Sequence, residues 1–185
     1  TESSQQLISV RSQSMRMDRK RLLLPGFGND LLSQPDLMDD KHQQWLINLV
    51  HNARPLCMVV DSLGGAHTKG ENRIEEVRPM LDFLARLARD ENLAIVAVHH
   101  LRKRGVGEDI AVTMDRILGS SAFSAFARSV IGLENNRDST AKMSIVKSNL
   151  VAREPGPIIT SVEYNGDDNP SRVLYAAFEP PSKKL

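Results

Sequence analysis

The chain has a single cysteine, Cys57, so no disulfide can form within it, and its stability must come from packing. A lone cysteine fits a reducing compartment, and the expected location is the cytoplasm. Net charge is also lacking. The 24 basic and 23 acidic residues leave +1, so no global field calls for a polyanionic partner and any such surface must be local. No apolar run approaches the roughly 20 residues of a membrane span. No Cys/His cluster has zinc-ligand spacing, and there is no internal repeat or low-complexity tract. The polar start Thr1-Glu2-Ser3-Ser4 has no leader signature and reads as the interior of a longer chain. What is present is ordinary for a folded domain. Hydrophobic residues make up 41% and charged residues 25%, at a length suited to one domain with a real core.

The most informative position is Asp61. It closes the apolar run Leu56-Cys57-Met58-Val59-Val60 and precedes Ser62. Such a run reads as a parallel strand buried on both faces, with Cys57 in the core. Ligands collect beyond the carboxyl ends of such strands. A carboxylate there can hold Mg²⁺ through its water shell beside a triphosphate, as in the Walker B arrangement. An Asp at a strand tip can also be a plain turn former. The neighbouring pattern decides between the two. Leu93-Ala94-Ile95-Val96-Ala97-Val98 is a second apolar run, ending in His99-His100. Between the runs, Ile74, Val77, Leu81, Leu84 and Ala88 form a helical stripe. Strand, helix, strand implies a right-handed crossover and a parallel pair. Asp61 and the histidines then share one sheet edge. Pro79 fits if the helix starts near Glu75, placing the proline in the first turn.

The rest of the chain continues the α/β pattern. A helix is expected over 3–17, with Leu7, Val10 and Ser14 on one face. Leu22-Leu23-Leu24 is a short strand candidate, and 28–38 a loop. A helix over 40–53, capped by Asp39 or Asp40, should turn Leu46, Leu49, Val50 and Ala53 inward. Residues 102–115 read as a mobile loop, and 119–127 as a short helix before the strand Ser129–Leu133. Beyond it, alternation in 143–146 and in parts of 158–164 and 172–178, with turn formers at Asn165-Gly166 and Asp168-Asn169-Pro170, signals antiparallel hairpins.

Four segments occur in a telling order: CMVVDSLGGAHTKGEN, IVAVHHLRKRG, GSSAFSAFARSVIGLE and VKSNLVAREPGPI. Together they resemble the RecA-like ATPases, closest to the RepA-type plasmid replicative helicases and more distantly DnaB, over about residues 1–165. The resemblance implies an α/β fold with a RecA-like three-layer core, a parallel sheet and a C-terminal antiparallel extension. The domain would span 1–180, with a basic tail at 181–185. It also implies a ring-shaped homo-oligomer, expected as a hexamer, with ATP and Mg²⁺ bound between subunits. One part of the pattern is missing. No Gly is followed by Lys, so the phosphate-cradling loop G-x-x-x-x-G-K-[ST] is absent from these residues. In the family it lies upstream of the point this chain starts from, so the chain is expected to be the C-terminal part of the domain.

The resemblance assigns roles residue by residue. Glu2 matches the catalytic glutamate that polarises the attacking water. Asp61, with Ser62, holds the Mg²⁺ water shell. His100 matches the sensor that contacts the γ-phosphate, while His99, on the other face of the strand, is a packing residue. Arg128 is a candidate arginine finger reaching a neighbour's γ-phosphate, or a surface arginine between helix and strand. Lys147 matches a basic finger position, although Asn149 stands where the family often has Arg. Arg102, Lys103 and Arg104 form a basic stretch beside Gly105 and Gly107, matching the channel-lining loop that contacts DNA phosphates. No aromatic residue interleaves it, so base stacking is not indicated. His67, Glu71 and Asn72 follow the family pattern without an assigned chemistry.

The expected function is that of a DNA-replication or recombination ATPase, a helicase motor on single-stranded DNA, provided a P-loop precedes Thr1. The chain alone is expected to be inactive. The alternative is a P-loop-free assembly or regulatory module. A metal hydrolase built on Asp61 with His99 and His100 has the least support.

Overall fold

The computed structural model describes residues 5–25, 35–67, 73–103, 112–117, 121–135, 140–149, 156–164 and 170–177. Among them the elements run α1 (Gln5–Ser14), α2 (Asp40–Ala53), β1 (Cys57–Val60), α3 (Ile74–Asp90), β2 (Ala94–Ala97), α4 (Ser121–Phe126), β3 (Ser129–Asn135), β4 (Thr140–Ser148), β5 (Ile158–Tyr164) and β6 (Pro170–Ala177). They fall into two compact units. The first holds α2, β1, α3, β2 and α4, and the second holds most of α1, the segment before Ile117 and the strands β3–β6. The fold is α/β, with a parallel pair in the first unit and an antiparallel sheet in the second. Among the described residues, no helix is long and apolar enough to cross a membrane.

In the first unit, β1 and β2 pair in parallel with Cys57 opposite Ala94 and Val60 opposite Ala97. The helix α3 connects them. Its buried face is Val77, Met80, Leu81, Phe83, Leu84 and Leu87, set against Leu46 and Val50 of α2 in one core with Leu37, Leu63, Leu93 and Phe123. Of the expected stripe, Val77, Leu81 and Leu84 are buried and Ala88 is half-buried. Ile74 is exposed, while Met80 and Phe83 carry the centre. The helix also begins earlier than Glu75, so Pro79 lies inside it, past the first turn. Proline has no N–H to give the carbonyl four residues back, so one intrahelical bond is lost there. Glu75 and Glu76 in the first turn favour the helix start through the macrodipole.

Asp39 starts α2 by accepting hydrogen bonds from the backbone N–H groups of Lys41 (2.7 Å) and His42 (3.2 Å). Those donors, His42 first, hold its carboxyl below the usual Asp value. The helix ends at Arg54 in the left-handed region, φ 45°, with its N–H on the Val50 carbonyl. Ala53, the last residue of the helix, is exposed rather than inward.

Three other expectations are corrected. Cys57 is exposed, not in the core. Inward-facing Met58 and Val60 alternate with outward-facing Cys57 and Val59, so β1 is covered on one face only among the described residues. Leu22–Leu24 form no strand: a single 3-10 turn at Arg19–Arg21 capped by Asp18 precedes them, and Leu23 is exposed. In α1, among the residues whose burial is described, the buried side chain is Ser12, its hydroxyl donating to the Ser9 carbonyl, while Val10 is exposed.

The second unit is a meander in the order β3-β4-β5-β6, antiparallel throughout. A bulge between Val130 and Ile131 shifts the β3–β4 register. The expected strands at 129–133, 143–146 and 158–164 are present, the first two longer than the sequence pattern indicated, and the one at 172–178 is present as far as Ala177, beyond which the residues are not described. The turn at Asn165-Gly166 lies outside the described residues.

Candidate functional site

Asp61 follows β1 directly. The ladder continues past the strand ends, with Val98 N–H donating to the Val60 carbonyl (2.9 Å) and Leu63 N–H to the Val98 carbonyl (2.8 Å). These two bonds place Asp61-Ser62 level with Val98-His99 at the carboxyl edge of the parallel pair. The Asp61–Ser62 peptide is cis. Ser62, Leu63 and Ala66 are buried, so the turn is packed down while Asp61 stays half-exposed. Leu37 N–H bonds the Ala66 carbonyl at 2.7 Å and secures the far end of the turn. No hydrogen bond or ion pair engages the Asp61 carboxylate among the described residues. A half-exposed carboxylate on a fixed turn suits a Mg²⁺ water shell.

The two histidines diverge. His99 is half-buried, its ring tilted 39° against Phe123 of α4 with centroids 4.5 Å apart. His100 is exposed. Both lie beyond the end of β2, which closes at Ala97, and beyond Val98, the last residue of the run bonded to the Asp61 segment. Leu101 then forms an isolated antiparallel bridge with Ile117. The basic stretch therefore begins directly after this bridge. Arg102 is half-buried and Lys103 exposed, and Arg104 lies outside the described residues. Glu2 lies outside them too.

In the second unit, the structure brings Arg128 and Lys147 to one end of the β3–β4 pair. Ser129 is opposite Ser148, Val130 is opposite Lys147, and Asn149 N–H donates to the Arg128 carbonyl at 2.9 Å. The sequence placed them nineteen residues apart with no sign of adjacency; only the antiparallel register joins them. Arg128 is exposed and Lys147 half-buried.

His67 is a residue for which the sequence suggested no chemistry. It is buried, 7% exposed, and neither ring nitrogen has a hydrogen-bond partner. Its place in the turn after a strand-tip Asp was the available signal. A cavity of about 490 Å³ between α2 and α3 is lined by Gln43, Glu75, Arg78 and Asp82 among others. None of the residues read as the site lines it. Among the described residues, no group of three or more His, Cys, Asp or Glu could hold a metal alone. A single carboxylate such as Asp61 can engage an ion only through its water shell or beside ligands from a bound group. No Gly-Lys pair occurs in these residues.

A family model described as an AAA domain matches residues 1–106, more than half of the chain. No curated protein matches the chain. Among solved structures, a KaiC-like protein from the hyperthermophilic archaeon Pyrococcus horikoshii OT3 is similar. The TM-score is 0.58 at 14% identity, over 95% of this chain and 73% of that one. At that identity the likeness shows the fold alone, a RecA-like α/β arrangement.

Proposed function

Because the chain belongs to the AAA domain family, of the RecA-like ATPase kind, we propose that it is part of a motor that hydrolyses ATP between neighbouring subunits and acts on DNA during replication or recombination. The observation that carries this reading is the unengaged Asp61 carboxylate at the edge of β1. Beside it, β2 leads through His100 into Arg102 and Lys103. The likeness to RepA-type plasmid helicases in the ordered motifs supports the helicase class, a ring of six subunits and single-stranded DNA as the track.

Bound Mg²⁺ supplies neutralisation of charge on the transferring phosphoryl group. The chain's own residues do the rest. Asp61 holds the metal's water shell and Ser62 shapes the turn that presents it. Glu2 polarises the attacking water. His100 donates to the terminal phosphate and registers its loss. Arg128 and Lys147, at one end of the β3–β4 pair, are the candidates for reaching a neighbour's nucleotide. Arg102, Lys103 and Arg104 contact DNA phosphates.

The absence of any Gly-Lys pair favours a second reading, a P-loop-free assembly or regulatory module. One experiment separates them. In a protein that carries this chain behind a Gly-Lys-Ser/Thr loop, Asp61→Ala should abolish ATP hydrolysis and leave the circular-dichroism spectrum unchanged. Near-normal turnover with Mg²⁺ present would remove the Walker B role for Asp61, and no hydrolysis by the unsubstituted protein would leave the module reading.

A further inference from the structure

The turn that follows Asp61 is fixed at both ends by backbone bonds. Leu63 N–H donates to the Val98 carbonyl at its start, and the Ala66 carbonyl accepts from Leu37 N–H at its end. Leu37 is itself tied to α2, its carbonyl accepting from Gln43 Nε2 at 2.7 Å. Between these points Leu63–Ala66 form one 3-10 turn, with Gly65 N–H on the Ser62 carbonyl at 3.2 Å. Glycines apart, every residue from Ser62 to His67 is buried. Leu63 and Ala66 suit that burial, being apolar members of the core. His67 does not. It closes the turn in extended backbone, φ −152° and ψ 156°, and no protein group bonds either ring nitrogen. A neutral imidazole carries one donor and one acceptor. Leaving both unpaired in the interior costs stability that an apolar side chain of the same size would not. Buried polar groups of this kind are rare, and each calls for a reason.

We propose that His67 is a positioning residue for Asp61: the turn settles into a second arrangement when the metal–nucleotide complex binds, and there the imidazole makes the hydrogen bond it lacks in the nucleotide-free chain. The inference rests on the ATPase reading above and deepens it. A ligand shifts a two-state element only through an interaction that differs between the states. At His67 that difference is one buried hydrogen bond, made in one arrangement and unmade in the other. The Gly64-Gly65 pair leaves the backbone between the two clamped ends free to change. What His67 gains is passed through Leu63–Ala66 to Asp61. Because Asp61 engages the ion's water shell, the contribution of His67 to nucleotide affinity needs both that carboxylate and Mg²⁺.

Two measurements test this. In urea unfolding of this chain, His67→Leu and His67→Met should be as stable as the wild type or more so, because each replaces an unpaired imidazole with an apolar side chain of similar volume. A lower midpoint in both would mean that the imidazole is already bonded in the nucleotide-free chain, by a buried water or otherwise, and overturns the proposal. The second measurement is the affinity for a fluorescent ATP analogue with Mg²⁺, in a protein that carries this chain behind a Gly-Lys-Ser/Thr loop. His67→Leu should weaken binding by about tenfold, the size of one buried hydrogen bond. His67→Gln keeps a donor and an acceptor and should stay within about threefold of the wild type. Combined with Asp61→Ala, or measured in EDTA, the effect of His67→Leu should shrink below about twofold, since residues that act through one another are not additive. Losses that add, or an equal loss in His67→Gln, overturn the positioning role. If the unsubstituted protein binds no nucleotide, the ATPase reading fails and the role of His67 falls with it. If it binds and His67→Leu binds equally well, only the role of His67 fails.

Discussion

Val59 and Val96 are register partners across the parallel pair, and both stand more than half exposed, at 61% and 52%. Parallel strands are ordinarily covered on both faces. Here α3 and the core cover the face of Met58, Val60 and Ile95, while Cys57, Val59 and Val96 have no cover among the described residues. Cys57 lies two residues before Val59 and therefore on the same face. Its thiol should react with a disulfide-exchange reagent in native buffer at a rate within a few-fold of that in denaturant. Protection released only by denaturant would mean that something covers this face in solution.

The two faces should also differ sharply in their sensitivity to substitution. Met80 is fully buried at the centre of α3, and Met80→Ala should cost about 2–5 kcal/mol in urea unfolding. Val59→Thr, on the bare face, should cost less than about 0.5 kcal/mol. Comparable losses from the two would contradict the one-sided burial of β1.

This asymmetry marks the limit of what the sequence revealed. Hydrophobic period gave α2, α3 and the two parallel strands, because each has a long apolar face and clear boundaries. It could not say how many faces a strand buries. A continuous run such as Leu56–Val60 looks the same whether one or two layers cover it, so Cys57 was misplaced. Leu22–Leu24 failed for the reverse reason: three leucines suggested a strand, but the Asp18 cap and the basic residues after it favour a 3-10 turn. At the site, Asp61 was legible because a strand tip is a fixed address. The neighbourhood of Arg128 and Lys147 depended on antiparallel register and was not. Neither was the buried bond by which Val112 N–H donates to Glu134 Oε1 of β3, since a lone Glu in an alternating strand normally reads as a solvated residue.

Asp39 gives a pH dependence with a definite sign. Its carboxyl is held below the ordinary Asp value by the N–H groups of His42 and Lys41. A lowered folded-state pKa contributes stability that is fully present above the unfolded value of 3.8. That contribution is lost as pH falls through the lower, folded value. The thermal midpoint of the wild type should therefore drop in acid, and more steeply than that of Asp39→Asn, which keeps a capping oxygen but does not titrate. At neutral pH, Asp39→Ala should lower the midpoint by a few degrees. Parallel acid profiles for wild type and Asp39→Asn would show that the cap is not titrating in this range.

The chain by itself should hydrolyse ATP poorly or not at all. Phosphoryl transfer depends on positioning and charge stabilisation, and no Gly-Lys loop is present to cradle the phosphates. Phosphate release by the purified 185-residue chain should match a no-protein blank. Robust turnover that disappears in Asp61→Asn would place a phosphate cradle elsewhere in these residues.

The basic stretch offers the sharpest test of the nucleic-acid reading. Arg102 and Lys103 follow His100 directly, beside the bridge between Leu101 and Ile117, so a change at His100, the proposed γ-phosphate sensor, has a short covalent path to them. Contacts to phosphates make binding salt-sensitive and nearly indifferent to base sequence. Replacing Arg102, Lys103 and Arg104 with Ala in an assembly that carries a P-loop should weaken single-strand binding. The slope of log affinity against log salt should flatten by up to about two units, from three lost phosphate contacts at roughly 0.7 each. Basal ATP hydrolysis should survive, because none of the three is read as touching the nucleotide, while its stimulation by DNA should fall. Fluorescence titrations at several salt concentrations measure the slope directly. Unchanged affinity and slope would reduce the stretch to a solvated connector and leave the DNA assignment resting on motif likeness alone.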